Sequence, residues 1–319
     1  MTKTPISSSI GGSYTKTTFS DTYLGLILQL LLFAILMVVA AIAVPVFFNP
    51  MNCVNLIRLS VPYLIMALAL ALSARVKGID LSAGAVFAAA SWVFAHFASE
   101  NMAVPGLIIA LAIGLAVGSV NGTANMFIRI PSAVLTMIVS AAVTFGVSLL
   151  IGSGAKGFWD GRPVVAESLG MDVTVAGLIS FLTALALVLG LLYFTRLGGE
   201  GQIQKRLVFT AYAASGLLFS MAACYLVMRL HMGSPMLGES GSALYLLFIA
   251  GAIYINRSAR IRFIPVICAL LAALNWSLIS NICSLINLSS FYSFVLQCIL
   301  TAAILTPAFM VQRGSRSRT

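Results

Sequence analysis

The stretch SVPYLIMALALALSARVKGIDLSAGAVFAAASWVFAHFA (60–98) holds two apolar segments joined by the short polar sequence Lys77–Gly84. Its Asp80 is unlike the other seven acidic residues, which fall in the N-terminal tail or in polar breaks typical of loops. An unpaired charge at the centre of a bilayer costs roughly 3 kcal/mol on insertion scales. The stretch therefore predicts that Asp80 lies at a membrane interface, is paired, or carries a proton.

The composition of the whole chain points to a membrane protein. Of its 319 residues, 61% are hydrophobic and 8% are charged, and the mean hydropathy is +1.07. One soluble core cannot hold so many apolar residues, and runs of about 20 apolar residues match the thickness of a bilayer. The alternating pattern of a membrane barrel is absent. We expect an all-α, polytopic membrane protein.

About ten apolar segments are long enough to count as transmembrane helices, and the second, third and eighth are short. The expected segments are 24–48, 60–76, 82–98, 104–126, 132–152, 174–195, 207–229, 243–256, 262–282 and 290–311. They form a transmembrane domain over residues 23–312. Residues 1–22 are predicted to be a disordered cytoplasmic tail, and residues 313–319 a basic cytoplasmic tail.

The basic residues predict the orientation of these helices. With both termini on one side, that side holds fourteen of the 18 basic residues, and the other side keeps Arg58, Lys156, Arg162 and Arg229. The positive-inside rule then places both termini in the cytoplasm, and an odd number of helices would break the asymmetry. Topology thus explains the net charge of +10 without a nucleic-acid partner.

Signatures of catalysis and of cofactor binding are absent from the sequence. There is no Gly-rich loop ending in Lys-Ser/Thr, no HExxH and no GxSxG. The five cysteines form no CxxC pair, so we expect no metal and no cofactor. What remains is a membrane conduit whose energy comes from elsewhere, and which contacts membrane lipids.

Candidate residues for helix packing lie in the fourth segment. Candidate residues for docking of another protein lie in the loop after the fifth segment. Gly114, Gly118 and Gly122 share one helical stripe, which predicts close approach of a neighbouring helix. Asn121, beside the stripe, is expected to make a packing hydrogen bond or to contact a solute. The segment 153–173 is the longest external loop and suits a docking surface. Its candidate residues are Trp159, Asp160, Arg162 and Glu167.

Polar breaks at Thr195–Arg206 and Asn256–Arg262 lie on the predicted cytoplasmic side. Each either contacts a cytoplasmic partner or only sets the topology. Asp80 and Ser82 begin the third segment, close in sequence to Arg75 and Lys77. They are expected either to anchor the start of that helix beside two cations or to face the cytoplasmic end of a translocation path.

Three stretches resemble the ribose-type sugar permeases of bacterial ABC importers. Asn55–Gly84, ending in GIDLSAG, is similar to their Gly-Ile-Asp-Leu-Ser segment. GSVNGTANMFIRIP (118–131) resembles their Leu-Asn-Gly segment, and Ser132–Gly154, which includes Thr136, resembles a segment ending in Thr-Gly-Gly. The resemblance covers about residues 24–230. Two polar segments in the second half, Thr195–Arg206 and 254–262, depart from the family pattern.

The resemblance implies a permease subunit of a bacterial inner membrane that imports a sugar or a related small polar solute. It implies three partners: a second permease, identical or different, cytoplasmic ATP-binding subunits and an external solute-binding protein. The ATPase-coupling loop would include Gly199, Glu200, Gln202, Lys205 and Arg206. Two other hypotheses stay open. One is a carrier driven by an ion gradient through Asp80, and the other is a non-transporting scaffold derived from a permease.

Overall fold

The computed structural model of the chain describes residues 19–128, 130–151, 154, 156–157, 172–194, 205–234, 242–255 and 263–316. Ten helices run through these ranges: α1 Phe19–Ala43, α2 Pro50–Arg75, α3 Ala83–Ser99, α4 Ala103–Phe127, α5 Ser132–Ile151, α6 Val173–Phe194, α7 Lys205–Leu230, α8 Ser242–Ile255, α9 Ile264–Leu285 and α10 Ser290–Arg316. Two short strands, β1 Lys156–Gly157 and β2 Met232–Gly233, pair antiparallel. The predicted all-helical class is confirmed.

Seven of the described helices are long and apolar enough to cross a membrane, namely α1, α2, α4, α5, α6, α7 and α9. The apolar parts of α3, α8 and α10 are shorter. The first helix begins at Phe19 and the last ends at Arg316, so each extends four residues into a predicted tail.

The prediction of a short second span is wrong, because α2 begins at Pro50 and not at residue 60. The Asn49 side chain caps this helix by accepting a hydrogen bond from the Met51 amide at 3.0 Å. Polar residues in its first turns caused the error. The structure satisfies them: Asn52 exchanges amide hydrogen bonds with Asn281 of α9 at 2.9 and 3.2 Å.

Three helices, α2, α3 and α9, end in the same turn, in which a left-handed residue is followed by the residue that closes the turn with a second backbone hydrogen bond. Lys77, Asn101 and Asn287 have φ angles of 62°, 62° and 52°. After α2, the Gly78 amide donates to the Ser73 carbonyl and the Lys77 amide to the Ala74 carbonyl, both at 3.0 Å. This pair of bonds is the Schellman motif, which satisfies carbonyls that a helix end leaves free. It also turns the chain sharply, so that residues 78–82 pass back between the helices.

The main apolar core lies among α2, α3, α7, α8 and α9, and a smaller cluster joins α1 to α9. Helix α4 packs chiefly on α7 and α3. A second amide contact crosses the bundle, since Asn275 of α9 donates to the Gln29 side chain of α1 at 2.8 Å. In contrast, α1, α5 and α6 expose most of their apolar side chains, as expected of surfaces that face lipid or another chain.

Candidate functional site

The segment between α2 and α3 brings Asp80 into the interior of the bundle, where its side chain is 0% exposed. One carboxyl oxygen, Oδ1, accepts from the Ser82 amide at 3.0 Å and the Ser82 hydroxyl at 2.7 Å. The Asn121 amide nitrogen of α4 lies 3.4 Å from the same oxygen. The other oxygen, Oδ2, accepts from the Ser215 hydroxyl of α7 at 2.8 Å. Asp80 therefore joins the start of α3 to α4 and α7.

Hydroxyl groups from the neighbouring helices satisfy the backbone of this non-helical segment. Ser132 and Thr136 of α5 accept from the amides of Ile79 and Leu81 at 2.9 and 3.0 Å. Ser73 of α2 accepts from the Asp80 amide at 3.2 Å. A buried amide without a partner costs about 1–3 kcal/mol. These hydroxyls thus permit extended backbone where a membrane helix would satisfy its own amides.

Two of the Asp80 partners lie inside their helices. Ser215 is ten residues after Lys205, so it lies about 15 Å along α7 from the first residue, at 1.5 Å per residue. Asn121 is six residues, or about 9 Å, before the end of α4. Asp80 thus lies between the helices, and the partners described for its carboxyl are hydrogen-bond donors.

The described contacts of Asp80 include neither Arg75 nor Lys77, the two cations expected near it. Arg75 and Lys77 are exposed, and among the described residues the donors to the carboxyl are the neutral groups of Ser82, Asn121 and Ser215. The Schellman turn at Lys77 separates the basic side chains from the carboxyl. Ser82 does occupy the position before α3, but its side chain makes no cap hydrogen bond because its hydroxyl donates to Asp80. Within the described ranges, no three His, Cys, Asp or Glu residues could hold a metal ion.

The glycine stripe of α4 lies against α7, directly beside Asn121. A Cβ atom added to Gly114 or Gly118 would meet the backbone carbonyls of Gly216 or Tyr212, and one added to Gly122 would lie 3.0 Å from the Phe209 Cα. The two helix backbones therefore touch without intervening side chains. This close approach brings Asn121 and Ser215 near enough to share one carboxyl group.

An ion pair lies at the opposite end of α2 from Asp80. The Arg58 guanidinium contacts both Asp172 oxygens at 3.1 Å and donates to the Thr174 hydroxyl at 2.8 Å. Hydrogen bonds from the Thr174 side chain and amide, and then the Arg58 charge, lower the pKa of the Asp172 carboxyl. Arg229 of α7 donates to Asn55 nearby at 3.3 Å. This end of the bundle thus carries two of the four basic residues predicted to be external.

Some predicted site residues cannot be placed. The docking candidates Trp159, Asp160, Arg162 and Glu167 lie outside the described residues, as do Gly199, Glu200 and Gln202 of the predicted coupling loop. Lys205 and Arg206 are described, and they form the first turn of α7 and not part of a loop. Lys205 lies over the Phe127 ring of α4, with its nitrogen 5.4 Å from the ring centroid.

The sequence interpretation missed four serines that contribute to the site, namely Ser73, Ser132, Ser140 and Ser215. Ser215 and Ser132 appeared to be ordinary small residues in apolar segments. A signal was present for one of them, because Ser132, Thr136 and Ser140 recur every four residues and so share one helical stripe. Ser140 also accepts from the Ala85 amide, at 3.3 Å. No comparable spacing marks Ser215.

Known proteins are similar to this chain in sequence. Residues 52–203 match a family described as the permease component of branched-chain amino acid transport systems. The ribose import permease RbsC of Escherichia coli is 26% identical over 298 residues, which cover 84% of this chain and 89% of that protein. The chain is thus similar to the ribose-type ABC permeases. The predicted resemblance is confirmed, and it extends beyond residues 24–230.

Two other known permeases are also similar to this chain. The probable ABC transporter permease y4mJ of Sinorhizobium fredii is 28% identical and covers 84% of this chain and 83% of its own. The fructose import permease FruF of Bifidobacterium longum is 29% identical over 54% of each chain. No solved structure shows significant similarity. The family match includes Asp80, Asn121 and Thr136, whereas Ser215 lies beyond it.

Proposed function

We propose that the chain is the permease subunit of an ATP-driven importer for a sugar or a related small polar solute, and that it forms half of the translocation path. The observation that carries the proposal is the similarity to a ribose import permease along 84% of the chain. Similarity of this extent covers the segment that holds Asp80 and the helices around that segment. The chain itself supplies the membrane path, and ATP is hydrolysed by other subunits.

In the complete importer, this permease pairs with a second permease, binds cytoplasmic ATP-binding subunits and receives solute from an external binding protein in the bacterial inner membrane. Two features support this assembly. The exposed apolar faces of α5 and α6 are available to a second permease or to lipid. The separation of basic residues between the two ends supports ten spans with both termini in the cytoplasm.

Asp80, Ser82 and Asn121 act in this proposal as an internal anchor and do not bind the solute. All three residues are fully buried, which supports this role. The anchor holds α3, α4 and α7 together, so that the path is built on a rigid group of helices. We expect changes at these residues to impair assembly before they alter the choice of solute.

Co-purification and uptake test the proposal together. A tagged chain should retain an ATP-binding subunit when it is purified from its own host in mild detergent, and the complex in liposomes should accumulate solute only with ATP. Purification of the chain alone, with transport that needs no ATP, would contradict the importer assignment.

The uptake assay also separates the two alternatives. A carrier that uses Asp80 as a proton site predicts that Asp80→Asn abolishes uptake and that ATP depletion has no effect. A non-transporting scaffold predicts normal accumulation of every candidate sugar when the gene is deleted. The importer proposal predicts that ATP depletion stops uptake and that deletion of the gene reduces the accumulation of the solute.

A further inference from the structure

Residues 231–234, which follow α7, turn back into the bundle and lie on α3. His231 has a φ angle of 55°, and this left-handed residue ends the helical path of the chain. Gly233 and Ser234 are both buried. They contact Ser91, which is eight residues, or about 12 Å, before the end of α3. Backbone that is not helical therefore reaches well below the end of that helix.

The contact between this segment and α3 is tight. A Cβ atom added to Gly233 would collide with the Ser91 carbonyl and would lie 2.7 Å from the Ala95 Cβ. The Ser91 hydroxyl donates a hydrogen bond to the Ser234 carbonyl at 3.1 Å. Ser91 and Ala95 are both 0% exposed. The absence of a side chain at Gly233 thus allows the segment to cover this part of α3.

The cover over α3 also connects two other helices. Strand β2 pairs antiparallel with β1, and Gly157 lies opposite Met232. The first of these strands follows α5, and the second follows α7. Among the described helices, α5 packs on α3 and α4 and has at most slight contact with α7. Because an isolated two-stranded pair is only marginally stable, the strands can separate without the unfolding of a helix.

We propose that the β1–β2 pair closes the translocation path at this end of the bundle, a role that rests on the proposed permease function, and that it opens when the two strands separate. Strand β2 begins three residues after Arg229, which contacts Asn55 at the end predicted to be external. Backbone without helical hydrogen bonds is tolerated at membrane depth only where protein buries it or water reaches it. The closed and open states would supply these two conditions in turn. Separation would uncover the hydroxyl and the carbonyl of Ser91, to which a polar solute can hydrogen-bond.

A reversible crosslink tests whether the strands separate. Directly opposed residues of an antiparallel pair have Cα atoms about 4.5–5.5 Å apart, a distance that suits a disulfide. The double variant Gly157→Cys/Met232→Cys is placed in a Cys53→Ser background and reconstituted with the other importer subunits in liposomes. Oxidation with copper phenanthroline should abolish most of its ATP-dependent uptake, and dithiothreitol should restore it. Equal uptake before and after disulfide formation, verified by mass spectrometry, would overturn the proposal.

Failure of the importer assignment would give a different result in the same experiment. The unchanged complex would then show no ATP-dependent uptake, with or without the oxidant. Loss of uptake in the oxidised double variant, together with full uptake by the oxidised unchanged complex, is expected only if the strand pair itself must open.

Accessibility of Ser91 gives a second measurement, which requires no known solute. In the Cys53→Ser background, Ser91→Cys should react slowly with a water-soluble maleimide in nanodiscs at rest, and faster while the complex hydrolyses ATP with its external binding protein. Met102→Cys, at an exposed position after α3, should react rapidly in both states. Ala90→Cys, at a fully buried position of α3, should stay protected in both. A rate for Ser91→Cys that does not change during ATP hydrolysis would overturn the proposal.

A larger residue at Gly233 should hold the pair open. The new Cβ of Gly233→Ala cannot fit against the Ser91 carbonyl, so Ser91→Cys should react rapidly in this variant even without ATP. Gly154→Ala, close to β1 in sequence, is the matched control, because a Cβ there meets nothing within 4 Å. It should leave the labelling slow. Circular dichroism verifies that both variants fold, and equally slow labelling in the two folded variants would contradict the assigned closure.

Discussion

Asp80 is a buried carboxyl group whose described partners are the neutral donors of Ser82, Asn121 and Ser215. Burial of an unpaired charge is costly, but several hydrogen bonds to one acceptor offset part of that cost. The same bonds connect three segments that are far apart in sequence. These contacts support the proposal that Asp80 holds helices together and does not contact the solute.

Replacement of Asp80 should separate the hydrogen-bond role from the role of charge. Asp80→Ala leaves the Ser82 amide and the Ser82 and Ser215 hydroxyls without their acceptor, and each unsatisfied donor costs about 1–3 kcal/mol. Asp80→Asn keeps one acceptor oxygen, and the Ser215 hydroxyl can rotate to accept from the new amide. We expect a marked loss of thermal stability for the alanine variant and a smaller loss for the asparagine variant, measured on detergent-purified protein.

A suitable control for the Asp80 variants is Ser119→Ala. Its hydroxyl donates only to the Leu115 carbonyl of its own helix, at 2.7 Å, so its removal should change little. If Asp80→Ala melts at the same temperature as the unchanged protein, the carboxyl does not hold these helices together.

The Arg58–Asp172 pair gives a prediction about pH. The pKa of Asp172 is lowered in the folded protein, so its stabilising contribution is complete above the ordinary carboxyl pKa of about 4 and is lost as pH falls through the lower folded value. Asp172→Asn should therefore lower the melting temperature slightly from pH 5 to pH 7, and the difference should shrink below about pH 4. A difference that grows in acid would contradict the assigned direction.

At the scale of elements, α4 and α7 form the closest described helix pair, because glycines from both helices lie in the contact. Gly216 of α7 faces Gly114 and Gly118, and a Cβ on Gly216 would lie 2.8 Å from the Gly118 Cα. Small residues supply the attraction between membrane helices by allowing extensive backbone contact. The glycine stripe of α4 can pack closely only because α7 has small residues at the facing positions.

Gly118→Ala should push α7 away from α4, since the new Cβ would meet the Tyr212 carbonyl. Overpacking of this kind typically costs about 1–3 kcal/mol. Gly146→Ala in α5 is the matched control, because a Cβ at that position meets nothing within 4 Å. We expect a lower melting temperature for Gly118→Ala and an unchanged or higher one for Gly146→Ala. The reverse order would show that the glycine contact is not tight.

At the scale of the whole molecule, polar contacts hold distant parts of the chain together. Gln29 and Asn52 of the first two helices bind Asn275 and Asn281 of α9. Basic residues lie at both ends of the bundle: Arg58 and Arg229 lie at one end, and Arg75 and Arg206 lie at the other. Such an arrangement agrees with helices that alternate in direction.

The proposed topology predicts the location of the C-terminus. A fluorescent protein fused after Thr319 should fluoresce in cells, and alkaline phosphatase fused at the same position should be inactive, because both ends are expected in the cytoplasm. A fusion at the external end of α7, after His231, should give the opposite pair of results and serves as the control. An active C-terminal phosphatase would require an odd number of spans.

The sequence by itself determined the helical class, the order of the helices and the resemblance to the ribose-type ABC permeases. Those properties depend on local apolar runs and on short motifs such as Gly-Ile-Asp-Leu-Ser, which are visible without knowledge of distant contacts. Local patterns also located the glycine stripe. Local patterns did not predict the start of α2. The side chain of Asn52 is polar, but its hydrogen-bond partner, Asn281, is 229 positions away.

Only the tertiary structure decided what surrounds Asp80. Proximity in sequence suggested Arg75 and Lys77 as its partners, but the turn after α2 directs those side chains outward and the carboxyl inward. The groups that do bind it include the side chains of Asn121 in α4 and Ser215 in α7. These residues are 41 and 135 positions further along the chain. Contacts of this kind depend on how helices pack, because a hydroxyl or amide in an apolar segment carries no local sign of its partner.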